Sequence, residues 1–153
     1  MFMEFATQNI WLFIALGVII IMLAYSYFGD QLSGFQSVSP EEATRLYNDG
    51  AKLIDVRTEA EYKSGRIGDA QLMPISNFES QLSKFEAFKE KPIVVYCQTG
   101  ARSAKAAGIL SKHGFTQVYN LRGGILAWKT AGLPINQPQN AKKKGSKKKS
   151  PIQ

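Results

Sequence analysis

The hydrophobic and polar positions of this chain fall into three regimes. From Phe5 to Gly29 no charged residue occurs, and the run from Ile10 to Tyr25 is apolar on every side. A helix with no polar face does not suit the surface of a soluble core. Extended through Tyr27 and Phe28, the run is long enough to cross a bilayer. Trp11 stands near one end and Tyr25 and Tyr27 near the other, where the aromatic belts of a membrane span belong. A cleaved signal peptide would want a basic start. The first nine residues instead carry Glu4 and no Lys or Arg, and Ala24-Tyr25-Ser26 is a poor cleavage site. Residues 1–28 are therefore expected to form an uncleaved transmembrane anchor, and residues 29–34 a short polar linker.

In the second regime short apolar runs alternate with amphipathic ones. Phe35–Val38 reads as a short strand. Ser39-Pro40-Glu41-Glu42 then offers an N-cap, a proline at the first helical position and a glutamate that closes a capping box. That helix carries Leu46 and Tyr47 inward and ends near Gly50. Lys52–Val56 is a second strand, and Thr58 to Glu61 repeats the capping-box spacing for a short helix. Ala70–Met73 is a weaker strand ended by Pro74. Ser76 opens a helix with Phe78, Leu82 and Phe85 at i, i+4 and i+7, and Pro92 stops it. Ile93–Tyr96 is a fourth strand, a helix follows to about Lys112 with Gly114 as its cap, and Val118-Tyr119 is a fifth strand. Gly123-Gly124 leads into a last helix with Ile125 and Trp128, capped at Gly132. Strands and helices in alternation predict an α/β fold over residues 35–136: one mostly parallel five-stranded sheet with helices on both faces.

The third regime, residues 137–153, is mostly Gln, Asn, Lys, Gly and Ser, which cannot build a core and is expected to be disordered. It also changes the meaning of the charge. Lys142, Lys143, Lys144, Lys147, Lys148 and Lys149 lie here; without these six the net charge of +7 falls to +1. The basicity thus belongs to the tail. No aromatics interleave with the lysines to stack on bases, so nucleic-acid binding is not expected. Contact with anionic lipid is favoured over no role, because an anchor already holds the tail near a surface. Only Arg45 lies soon after the span, and it weakly places the C-terminal side in the cytoplasm. The single cysteine excludes an internal disulfide and suits a reducing compartment.

That cysteine sits where chemistry is expected. Ile93-Val94-Val95-Tyr96 delivers Cys97 to a strand end, Gln98-Thr99-Gly100 turns the chain, and Ala101-Arg102-Ser103 begins a helix. A thiol at that position faces backbone N–H groups and the positive end of a helix dipole, both of which favour the thiolate. A buried structural cysteine would need neither the glycine nor the arginine that follow. Ligands of parallel sheets sit beyond the strands' carboxyl ends. Asp55 and Arg57 occupy the same end of their strand, so they are candidates for the rim of one shared site. His113, beside the Gly114 cap, reads as a helix-end surface residue. No metal-ligand cluster and no glycine-rich nucleotide loop occurs in the sequence, so neither a metal nor a cofactor is expected.

Three motifs together resemble the rhodanese (sulfurtransferase) family. They are Leu53-Ile54-Asp55-Val56-Arg57 with Glu61-Tyr62 and Gly65-Arg66-Ile67; Cys97 through Ser103; and Gly114-Phe115 with Val118 through Gly124 and Trp128. The match runs from about Phe35 to Pro134, in order. The chain has Arg66 where the family often has His, and Gly68-Asp69 where it often has Pro-Gly. The resemblance implies a single rhodanese-like domain on a membrane anchor, moving sulfur from a thiosulfate-like donor to a thiol or cyanide through a persulfide on Cys97. Gln98, Thr99, Gly100, Ala101, Arg102 and Ser103 would then bind substrate, their N–H groups curling around the anion. Arg102 either offers charge to the donor's oxyanion or forms a salt bridge at the rim. Two alternatives stand beside this reading. A cysteine phosphatase would have five residues between Cys and Arg, and here there are four. A docking module beside a membrane complex would have no need of the thiol.

Overall fold

The structure, a computed structural model, describes residues 1, 4 and 7–137. The lysine tail lies outside the described residues. The chain divides into two units, Met1–Ser33 and the remainder from Gly34. In the first, helix α1 spans Ile10–Leu32. Its stretch Ile10–Gly29 has a mean hydropathy of 2.3, and none of it is buried. This is the one helix among the described residues that is long and apolar enough to cross a membrane, and a signal sequence near an N-terminus shares those properties.

The second unit holds strands β1 (Gln36–Val38), β2 (Lys52–Asp55), β3 (Gln71–Leu72), β4 (Ile93–Tyr96) and β5 (Val118–Leu121). Between them lie helices α2 (Pro40–Asn48), α3 (Glu59–Ser64) and α4 (Ala101–Lys112), with α5 (Gly124–Thr130) last. The five strands form one sheet in the order β1-β5-β4-β2-β3, and every pairing is parallel. Both capping boxes form. Ser39 and Glu42 exchange hydrogen bonds at the start of α2, and Thr58 and Glu61 do so at the start of α3.

Side chains alternate across a strand, and β4 shows what that does in a sheet covered on both sides. Ile93, Val95 and Cys97 face one cluster with Phe78, Leu82, Phe85, Ala106, Ala107 and Leu110. Val94 and Tyr96 face the other, with Ala43, Leu53, Ile125 and Trp128. Every residue of β4 is buried, which is why the strand reads as an unbroken apolar run. The alternation also puts Cys97 on the face that α4 covers.

One element differs from expectation. The segment expected as an α-helix from Ser76 is instead two stretches of 3₁₀ helix, Ile75–Asn77 and Glu79–Phe88. Leu82 and Phe85 are buried and Phe88 packs against the same cluster. Their spacing of three residues lines up on one face at three residues per turn. The tighter winding therefore buries Leu82 and Phe85 and sets the half-buried Phe88 beside them, and the Phe85 and Phe88 rings meet at 5.9 Å between centroids.

Candidate active site

Strand β4 ends with its neighbour β2 in register, Asp55 opposite Tyr96, so the loops after the two strands emerge side by side. After Cys97 the chain must turn at once into α4, and Gly100 makes this possible. Its φ of +104° is one that L side chains rarely adopt, and an added Cβ would stand 3.3 Å from the Gly123 nitrogen. The turn brings the Gly100 N–H to 3.1 Å from Cys97 Sγ, with Ser103 Oγ at 3.4 Å.

The loop is braced from outside by α5. The N–H groups of Ile125 and Leu126 donate to the carbonyls of Cys97 and Gln98 at 2.9 and 3.2 Å. In a trans peptide the next N–H points away from the carbonyl. Holding the Gln98 carbonyl outward therefore aims the Thr99 N–H inward, toward the sulfur. Gly124 permits this contact: a Cβ there would lie 2.5 Å from both carbonyl oxygens.

Cys97 is 0% exposed, and burial pushes its thiol up. Hydrogen bonds from the Ser103 hydroxyl and from the N–H groups of Ser103, Gly100 and Thr99 outweigh burial, so the thiol lies below its ordinary value. The Ser103 hydroxyl has one proton and several acceptors, including Asn120 Oδ1 at 2.6 Å and the Gly100 carbonyl at 3.1 Å. Turned to Asn120, it presents a lone pair to a thiol; turned to sulfur, it stabilises a thiolate. Asn120 Nδ2 donates to the Gly100 carbonyl at 3.4 Å and ties β5 to the turn.

The structure gathers Cys97 to Ser103 into one loop, with unequal parts. Gly100 and Ser103 touch the sulfur directly. Thr99 contributes its N–H while its side chain is exposed, and Ala101 is exposed at the start of α4. Asp55 and Arg57 form a closed pair beneath the surface, Nη2 donating to Oδ2 at 2.7 Å. Their link to the cysteine loop is Arg57 Nη1 to Gln98 Oε1 at 3.5 Å. Arg102 takes the salt-bridge alternative. Its two terminal nitrogens donate to the two carboxylate oxygens of Glu61, each at 2.9 Å.

Glu61, Asn120 and Gly124 were not expected in the site. Glu61 was legible as a capping residue and as part of a motif but not as the partner of Arg102, and it both caps and pairs: Oε2 also accepts from the Thr58 N–H at 2.8 Å. The bonds from Arg102, helped by those from Thr58, hold its pKa down at about 2. Asn120 had a signal, being a polar residue between Tyr119 and Leu121 in a strand.

Residues 39–131 match the Rhodanese-like domain family. A sulfurtransferase of Allochromatium vinosum is 42% identical over 87 residues, covering 57% of this chain and 79% of that protein. The thiosulfate sulfurtransferase GlpE of Pseudomonas fluorescens is 33% identical, covering 65% of this chain and 89% of its own. Among solved structures, the polysulfide-sulfur transferase homodimer of Wolinella succinogenes superposes with a TM-score of 0.60 at 31% identity, over 74% of this chain and 90% of that one. These relatives support sulfur transfer as the general chemistry of such a loop. With the family match spanning more than half its length and all of its sheet except β1, the chain belongs to the rhodanese-like domain family.

Proposed function

We propose that this chain is a membrane-anchored sulfurtransferase that takes sulfane sulfur from a thiosulfate-like donor and passes it, through a Cys97 persulfide, to an external thiol or to cyanide. The observation that carries the reading is the Gly100 N–H lying 3.1 Å from the sulfur of a thiol whose pKa is lowered. The Cys97 thiolate attacks the outer sulfur of the donor, the S–S bond breaks and sulfite leaves. The persulfide that forms is an anion one atom longer than the thiolate. The N–H groups of Thr99, Gly100 and Ser103 are the donors that stabilise it. The chain has a single cysteine, so an acceptor from outside must attack the terminal sulfur and release the thiolate.

Anchoring rests on α1. At ~1.5 Å per residue its 23 residues run about 34 Å, against a hydrocarbon core of about 30 Å. The domain then lies on the cytoplasmic side, where a lone thiol stays reduced, and the lysine tail contacts anionic lipid. The test of the chemistry is intact mass after incubation with thiosulfate. The wild type gains one sulfur, removable by cyanide, and Cys97→Ser gains none. A wild type that gains no sulfur leaves the docking-module reading in its place.

A further inference from the structure

Both arginines near the cysteine loop already have carboxylate partners. Arg57 is closed on Asp55, and Arg102 on Glu61 through two parallel bonds of 2.9 Å. Glu61 cannot readily swing aside, because the Thr58 N–H and hydroxyl hold Oε2 from behind at 2.8 and 3.0 Å. With both arginines neutralised, the anion-attracting groups beside the thiolate are backbone N–H groups and the start of α4. Each pair is neutral, so neither offsets the thiolate's negative charge, and each further charge on a donor adds repulsion.

We propose that Glu61 is a positioning residue that sets donor charge preference: by neutralising Arg102 it disfavours doubly charged sulfur donors relative to singly charged ones. The inference rests on the sulfur-transfer reading above. Two donors isolate the effect, since both carry a terminal sulfur on a sulfonyl centre. Thiosulfate, a dianion, and the Cys97 thiolate give Cys97–S–S⁻ and sulfite dianion. Methanethiosulfonate, a monoanion, gives the same persulfide and methanesulfinate. In each case one S–S bond forms, one breaks, and the leaving group keeps the electron pair.

The experiment measures KM for each donor with the full-length chain and cyanide as acceptor. Glu61→Gln removes the charge while keeping the capping box, which accepts Gln as well as Glu. KM for thiosulfate should fall about tenfold and KM for methanethiosulfonate about threefold, since the Coulomb energy scales with donor charge. The change should sit in KM with kcat nearly unaltered. Glu61→Asp, which keeps the charge, should stay near the wild-type ratio. Glu61→Ala should move the ratio as Gln does, and KM is independent of how much of a preparation is folded. Equal changes for both donors, or a rise in the thiosulfate KM of Glu61→Gln, would overturn the proposal. A wild type that acquires sulfur from neither donor overturns the sulfur-transfer reading itself, and the proposal with it.

Discussion

Two arginine–carboxylate pairs flank the same loop, and they differ in their access to water. In the Asp55–Arg57 pair the side chains are 0% and 2% exposed; in the Glu61–Arg102 pair they are 32% and 36% exposed. The buried pair is over-determined. Asp55 accepts from the Arg57 backbone N–H, Nε and Nη2, while Nη2 also donates to the Gly65 carbonyl at 2.6 Å and the guanidinium lies over the Tyr96 ring. Such a pair costs much to desolvate and more to break, so it acts as a fixed part of the scaffold. The exposed pair has equally good geometry but is screened by solvent, so it contributes little to stability. Similar chemistry is thus fixed in the scaffold at one depth and, on the proposal above, tunes donor charge at another.

Breaking the site itself gives the largest effect and the baseline for both pairs. Cys97→Ser should abolish persulfide formation and leave the thermal transition near that of wild type; residual turnover in a clean preparation would reject Cys97 as the nucleophile. Next is the buried pair. Asp55→Ala strands a guanidinium and should lower the unfolding free energy by about 3–5 kcal/mol in a denaturant titration. A loss below about 1 kcal/mol, the range of surface pairs, would erase the contrast. Gly124→Ala reaches the loop without touching either pair. Its Cβ would displace the Cys97 and Gln98 carbonyls, so the sulfur-transfer rate should fall about tenfold or more while both pairs persist. An unchanged rate would mean the α5 brace does not position the loop.

The exposed pair should show the smallest effect, and it carries a sign. Glu61 has a folded-state pKa of about 2 against an ordinary 4.5. A depressed carboxylate contributes stability that is present above the ordinary value and lost as pH falls through the folded one. The stability difference between wild type and Glu61→Gln should therefore shrink from pH 4.5 down to about 2. Because the pair is solvent-screened, the whole change should be about 1 kcal/mol or less. A larger loss, or one centred near neutral pH, would move this pair into the class of the buried one.

What the sequence made legible was local. Both capping boxes span four residues, and both form as read. The strand–loop–helix around Cys97 is contiguous, so the placement of its thiol followed from neighbouring residues alone. The 3₁₀ stretch was not legible in the same way. Phe78, Leu82 and Phe85 satisfy an α-helical period, and the deciding contact of Phe88 with the core is tertiary. The Glu61–Arg102 pair joins residues 41 apart, and Ser103 meets Asn120 across 17. Glu61 was further hidden because its capping role already explained it. Gly124 read as a helix start, and its close approach to the Cys97 carbonyl depends on the β4–β5 pairing.

The brace from α5 has a consequence for engineering. It grips the cysteine loop by main-chain atoms alone, so the loop's shape is insured against changes in the side chains it displays. Thr99 and Ala101 both point into solvent at the mouth, and neither side chain is needed to hold the ring of N–H groups in place. Those two positions are therefore the natural sites for a randomised library: variants there would explore new sulfur donors and acceptors on an unaltered nucleophile.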